Sequence, residues 1–159
     1  MRVLVFDIDG NRYGLDATHV REVLPAATLT GLATAPPAIK GILDVHGMIV
    51  PIVDARRTLG LEAREVRQSD HFVIVYVTGR TIGLHVDHAV EIIEVDDESL
   101  DNGNEFLERS MGTQCIARFD GRLLPVQLLD AIVGGAGSIT VTPQDATPGG
   151  GTTSNVTDA

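Results

Sequence analysis

The stretch Val3–Leu24, VLVFDIDGNRYGLDATHVREVL, lies without a gap over Phe72–Ile93, FVIVYVTGRTIGLHVDHAVEII. Gly10 meets Gly79, Gly14 meets Gly83, Leu15 meets Leu84, His19 meets His88 and Glu22 meets Glu91. Between them apolar residues face apolar residues: Leu4 with Val73, Val5 with Ile74, Ile8 with Val77, Val23 with Ile92. A second pair follows. GILDVHGMIVPIVDARRTLG from Gly41 lies over CIARFDGRLLPVQLLDAIVG from Cys115, matching Gly47 with Gly121, Pro51 with Pro125 and Gly60 with Gly134. Glycine and proline punctuate the backbone, so their recurrence in phase implies one architecture used twice. Two copies are too few for a solenoid and point to two similar subdomains side by side.

Within each copy the local signals are those of short strands. Val3–Ile8 is a branched apolar run, Asp9-Gly10-Asn11 a turn, and Arg12–Asp16 a second strand, giving a hairpin. Thr18 is placed to cap a short helix with Val20, Val23 and Leu24 on one face, stopped by Pro25. Pro36-Pro37 opens another turn of helix that Gly41 closes. Ile42–Val45 and Met48–Val53 flank the turn His46-Gly47, and Ala55–Leu59 is a short helix. Phe72–Val77, Thr81–Val86, Cys115–Phe119 and Leu123–Val126 repeat the strands, with the polar connector Glu62–Asp70 as the boundary between halves. Many short strands with turn-rich spacing predict an all-β barrel or sandwich with a few short helices. Residues 1–134 form the duplicated domain. Residues 135–159, rich in Gly, Thr, Pro and Ser, are expected to be a flexible tail.

Composition narrows the function. The chain has 159 residues, 43% of them hydrophobic, enough for a real core. A net charge of -10 disfavours nucleic acid, and 4% aromatic residues disfavour a base-stacking platform. No apolar run reaches the roughly 18 residues of a membrane helix, and Val3–Phe6 is too short for a signal-peptide core. Cys115 is the single cysteine, which fits a reducing cytoplasm. Of the eighteen residues Glu94–Met111, seven are acidic. An EF-hand centred on Gly103 would need an oxygen ligand at Leu100 and a glutamate at Arg109, so the stretch is read as a solvated loop.

The strongest catalytic pattern is D-x-D-G at Asp7–Gly10. It resembles the nucleophile motif of haloacid-dehalogenase-type phosphatases, in which Asp7 would attack phosphorus, Asp9 would serve as acid and base, and magnesium would bridge them. Against it, Asp7 and Asp9 align with Tyr76 and Thr78, so the same hairpin is built once with no acid. The histidines His85 and His88 stand at i and i+3, which a strand sends to opposite faces, so no metal site is expected. No catalytic residue, cofactor or metal is assigned.

LVFDIDGNRYGLDATHVREVL, APPAIKGILDVHGMIVPIVDARRTLGL, VIVYVTGRTIGLHVDHAVEII and ARFDGRLLPVQLLDAI, in this order over nearly all of residues 1–133, resemble the CheW-type adaptors of chemotaxis. The resemblance implies two five-stranded SH3-like barrels packed together, with the chain crossing between them. It implies a non-catalytic, cytoplasmic adaptor recruited to membrane-associated receptor arrays. Its partners would be the cytoplasmic tips of chemoreceptors and the regulatory domain of a CheA-type histidine kinase. It places a receptor groove at Val20, Val23, Gly83, Ala89 and Ile92. At His46 the family usually has arginine; histidine is shorter and loses its charge near neutral pH. That departure fits either a divergent chemotaxis array or an adaptor of another two-component pathway, such as surface motility.

Overall fold

The structure, a computed structural model, describes residues 1–96 and 112–134. The expected tail and most of the acidic loop lie outside the described residues. Ten strands run in chain order: β1 Arg2–Ile8, β2 Asn11–Asp16, β3 Val20–Pro25, β4 Ile39–Val45, β5 Met48–Asp54, β6 His71–Val77, β7 Arg80–Val86, β8 His88–Glu94, β9 Thr113–Phe119 and β10 Arg122–Gln127. A 3-10 turn, Ala17–His19, precedes β3. Short helices α1, Ala55–Thr58, and α2, Leu129–Gly134, follow β5 and β10.

The strands form two five-stranded sheets. Sheet A has the order β8-β1-β2-β10-β9 and sheet B the order β3-β6-β7-β5-β4. The duplication is thus real, but each copy is divided between the sheets: its first hairpin stays in one and its last three strands join the other, so β3 pairs with β6, β5 with β7, β8 with β1 and β10 with β2. The connector Glu62–Asp70 therefore separates the two copies in sequence but not the two sheets. It joins β5 to β6 within sheet B, while the chain passes between sheets at Ala17–His19 and at Asp87.

All four hairpins turn through two residues of positive φ. They are Asp9-Gly10, His46-Gly47, Thr78-Gly79 and Asp120-Gly121, with the first residue at φ 48–52°. This is the type I′ geometry that matches the twist of the flanking strands.

Two helical expectations are corrected. Val20–Pro25 is a strand whose burial alternates residue by residue. The apolar spacing read as helical is the product of a β-bulge between Val20 and Glu22, which shifts the strand's parity. Asp16, not Thr18, supplies the cap: its Oδ1 accepts from Thr18 N at 3.0 Å and Thr18 Oγ1 at 2.9 Å, and only the 3-10 turn forms. The same bulge recurs in β8, where the register shifts opposite Val5 and Phe6, and His88 opens that strand. Pro36-Pro37 makes a single turn, with Ile39 N donating to Pro36 O at 2.9 Å, before β4 begins. Gly41 lies inside β4, where a Cβ would fall 2.7 Å from Thr30 O.

The cores explain the continuous apolar runs. Leu4, Phe6 and Ile8 of β1 and Val73, Val75 and Val77 of β6 share a central core with Leu15, Leu84, Leu129 and Ile132. The opposite face of β1, Val3 and Val5, packs with Cys115, Ala117, Leu124 and Val126 inside sheet A. The opposite face of β6, Phe72 and Ile74, packs with Val45, Val50 and Ile52 inside sheet B. A strand buried on both faces carries apolar residues at successive positions. Among the described residues no ladder joins β8 to β9 or β3 to β4. The expected barrels are realised as two five-stranded sheets with open ladders. The free edge of β4 is partly covered by Thr30, which exchanges hydrogen bonds with Ile42 at 2.9 and 3.0 Å.

Candidate functional site

β5 runs parallel to β7, with Ile52 opposite Gly83, so the turns before them, His46-Gly47 and Thr78-Gly79, lie at one end of sheet B. At that end His46 Nε2 sits 3.0 Å from Glu22 Oε2 and 3.2 Å from Oε1. This contact joins the β4–β5 turn to β3, the strand at the other edge, so sheet B is strongly curled. The Arg21 guanidinium lies 4.6 Å from the Tyr76 ring centre. Around these polar contacts stand exposed apolar side chains: Val23 at 37%, Met48 at 51%, Ile49 at 51%. Sheet A repeats the arrangement with other chemistry. Arg12 donates to Asp7 Oδ1 at 3.0 Å and lies 5.5 Å from the Phe119 ring centre. Ile92 and Leu123, the repeat equivalents of Val23 and Ile49, are exposed at 45% and 63%.

The six residues assigned from resemblance are divided between the sheets. Val23 and His46 on sheet B and Ile92 on sheet A are exposed. Val20 and Ala89 are half-buried and pack against the central core. Gly83 is buried in β7, and a Cβ there would run into Ile52 Cδ1 and lie 3.2 Å from Ile74 Cδ1. Its equivalent Gly14 has the same role in sheet A, 2.6 Å from Val3 Cγ1. The pairing of these glycines is accounted for by close packing. Sequence reasoning missed Met48, Ile49, Leu123 and Tyr76. The available signal was parity: Ile49 and Leu123 each precede a buried core residue, Val50 or Leu124, and so face outward.

The catalytic pattern resolves into structural charges. Asp7 pairs with Arg12, and Asp9 Oδ1 accepts from Arg56 Nη2 at 3.0 Å. β1 leads into an antiparallel hairpin rather than into a helix, so the two carboxylates have no phosphatase frame. Arg56 is fully buried and also bonds Asp87, which accepts from Arg64 Nη2 at 2.6 Å. Arg64 grips Asp70 with two bonds of 2.7 and 2.8 Å. Asp70 also receives Arg67 N and lies 2.7 Å from His85 Nε2. Burial raises the Asp70 pKa, but the bonds from Arg64, Arg67 N and His85 outweigh it and hold the carboxyl well below the usual range. Burial lowers the pKa of His85, and the nearby Lys40 and Arg64 charges add to this against the opposing pull of Asp70.

The histidines do not form a metal centre. His85 is buried beside Asp70 while His88 is exposed, its ring 4.9 Å from that of His71. His71 Nδ1 accepts from Ala89 N at 2.9 Å, which puts the proton on Nε2 and withdraws both nitrogens from ligation. Among the described residues no three His, Cys, Asp or Glu side chains gather as a metal site. Cys115 is buried, and burial pushes its thiol pKa up, away from a reactive thiolate. No helix among the described residues is long and apolar enough to cross a membrane.

Known proteins resemble the chain in both sequence and fold. The family profile described as CheW-like domain matches residues 2–134. The chain is 22% identical over 147 residues to the chemotaxis protein CheW of Bacillus subtilis, covering 91% of this chain and 94% of that one. It is 27% identical over 134 residues to the chemotaxis protein CheW of Rhizobium meliloti, covering 82% and 85%. The crystal structure of the scaffolding protein TtCheW from Thermoanaerobacter tengcongensis superposes with a TM-score of 0.70 at 26% identity, over 80% of this chain and 84% of that one. A match of this extent across both sheets decides the assignment: the chain belongs to the CheW-like domain family.

Proposed function

We propose that this protein is a non-catalytic adaptor of a chemotaxis signalling array, coupling the cytoplasmic tips of chemoreceptors to the regulatory domain of a CheA-type histidine kinase. The observation that carries the reading is the pair of exposed apolar positions on the exchanged strands, Val23 on β3 and Ile92 on β8. Branched aliphatic side chains at equivalent edge positions serve no core and suit an apolar partner such as a receptor helix. In this reading Val23, His46 and Ile92 touch partners, while Val20, Gly83 and Ala89 support that surface from beneath. Each sheet is taken as one of the family's two barrels, and residues 1–134 as one domain with a separate tail.

The test measures binding of purified variants to a receptor-tip fragment and to the kinase regulatory domain. Val23→Glu and Ile92→Glu should each weaken binding to at least one partner by roughly tenfold, because a charge must be desolvated at an apolar contact. Their circular dichroism should be unchanged, since both sites are exposed. Val20→Glu should instead disturb the fold, since Val20 packs on the central core. Full affinity of both Val23→Glu and Ile92→Glu for both partners would remove these strands from the interface.

A further inference from the structure

The two places where the chain passes between sheets occupy equivalent positions in the repeat but are built differently. Asp87 alone links β7 of sheet B to β8 of sheet A. Its amide donates to Asp7 O at 3.0 Å, and its Oδ2 accepts from Asp9 N at 2.8 Å, both on sheet A. Its Oδ1 accepts from Arg56 of α1 and from Arg64 of the connector, and through Arg64 it reaches Asp70 at the connector's end and His85 of sheet B. At the other crossing the repeat equivalents of Asp87, Asp9 and Arg56 are Thr18, Thr78 and Asp130, a set with no cation. There Thr18 makes only local hydrogen bonds, from its N and Oγ1 to Asp16 Oδ1, among the contacts described. The charged joint is also costly: Arg56 Nε and Nη1 and His85 Nδ1 are buried with no partner among the described residues.

The central apolar core already holds the sheets together. Apolar burial is non-directional, whereas hydrogen-bonded charges accept few geometries. We propose that the Arg56–Asp87–Arg64 cluster is an ionic pin that sets the angle between the two sheets, adding little to stability. The asymmetry between the crossings makes Asp87 the fixed joint and Ala17–His19 the looser one. For an adaptor of the kind proposed above, the pin keeps partner sites on the two sheets in fixed relation; the pin itself is tested without any partner.

The main test uses the full chain carrying Cys115→Ala, with spin labels at Met48→Cys on sheet B and Leu123→Cys on sheet A, both exposed positions. The parent should give one narrow inter-label distance distribution. Arg56→Met combined with Asp87→Asn removes both charges and leaves Arg64 its bidentate bond to Asp70. That double variant should keep its melting temperature within about 5 °C, because removing both partners of a buried pair is close to neutral. Its distance distribution should broaden to roughly twice the width. An unchanged distribution would overturn the pin, and so would failure of the double variant to fold, since the cluster would then be a stability element. In the unmutated chain, hydrogen exchange at Asp87 and Asp9 should be about tenfold slower or more than at Thr18. Equal exchange at the two crossings would also overturn it.

Discussion

Thr78 is the weak point of the four type I′ turns. The first central residue is Asp9, His46, Thr78 or Asp120, at φ 51°, 52°, 48° and 50°. A left-handed backbone brings Cβ against the following carbonyl and costs an L-residue roughly 1–2 kcal/mol. Asp, Asn and His tolerate it better, whereas a β-branched residue is a true outlier. Thr78 is exposed, so no packing repays the strain, and the side-chain bond from its Oγ1 to Val77 O at 2.8 Å is local and only partly buried. Thr78→Asn should therefore stabilise the protein by about 1 kcal/mol, which raises the melting temperature by roughly 3–5 °C. Thr78→Gly removes the same strain but gives part of the gain back as unfolded-chain entropy. Thr78→Val keeps the branch, loses the bond and should destabilise. Thermal melts and urea titrations of the four proteins should rank Asn above Gly, Gly above Thr and Thr above Val. A Thr78→Asn protein no more stable than its parent would refute the argument that turn strain is stored there.

The remaining predictions concern packing and pH. Gly14→Ala and Gly83→Ala should each cost about 1–3 kcal/mol by overpacking, read as a lower urea midpoint; an unchanged midpoint for either would show that its sheet interior can yield. Stability should fall on acidification. Burial keeps His85 neutral below the usual imidazole range, and burial together with His88 lowers His71, so the unfolded chain binds protons first. Their share is full above about pH 6.5 and declines as the pH falls below it. Asp70 and Asp87 are both held low against burial, Asp70 by Arg64, Arg67 N and His85, Asp87 by Asp9 N and Arg56. Their share persists until about pH 4 and is then lost. A urea midpoint that rises between pH 7.5 and 5.5 would contradict the sign, and His85→Gln should flatten that part of the curve. His46→Arg should raise affinity for a partner that reads the Glu22 end of sheet B, whereas equal binding by His46→Arg and His46→Ala would make His46 a turn residue only.

Much of the fold was legible because the repeat was marked by residues with backbone duties. The four turn glycines at 10, 47, 79 and 121 all have positive φ, and each hairpin was found where its glycine stood. The strands β3 and β8 were not legible as strands. Each contains a bulge that shifts its register, at Arg21 and at the equivalent Val90, and in β3 Val20 packs on the central core while Leu24 packs inside sheet B, a spacing that imitates a helical face. The charge cluster was illegible for another reason. Arg56, Arg64, Asp70, His85 and Asp87 come from a helix, a connector, a strand and a crossing between sheets, and none has a periodicity that distinguishes a buried ion from a solvated one.

The strand exchange was written in the sequence, although in a form that local reading does not use. Val3–Phe6 and Phe72–Val75 are apolar at every position, so strands β1 and β6 must be covered on both faces. Within one sheet, a three-stranded unit and a hairpin supply one interior: Val3 and Val5 are served by β9 and β10, Phe72 and Ile74 by β4 and β5. The second face, Leu4 and Phe6 or Val73 and Val75, has no partner until another layer arrives. The other sheet is that layer, and the two second faces bury each other. A chain with the same hairpins but alternating polar residues in β1 and β6 could form two separate sheets. This one cannot leave them apart without exposing Leu4, Phe6, Val73 and Val75 together. The exchanged third strands, β3 and β8, then run along the outer edges of a joint that was already required, which places Val23 and Ile92 in solvent.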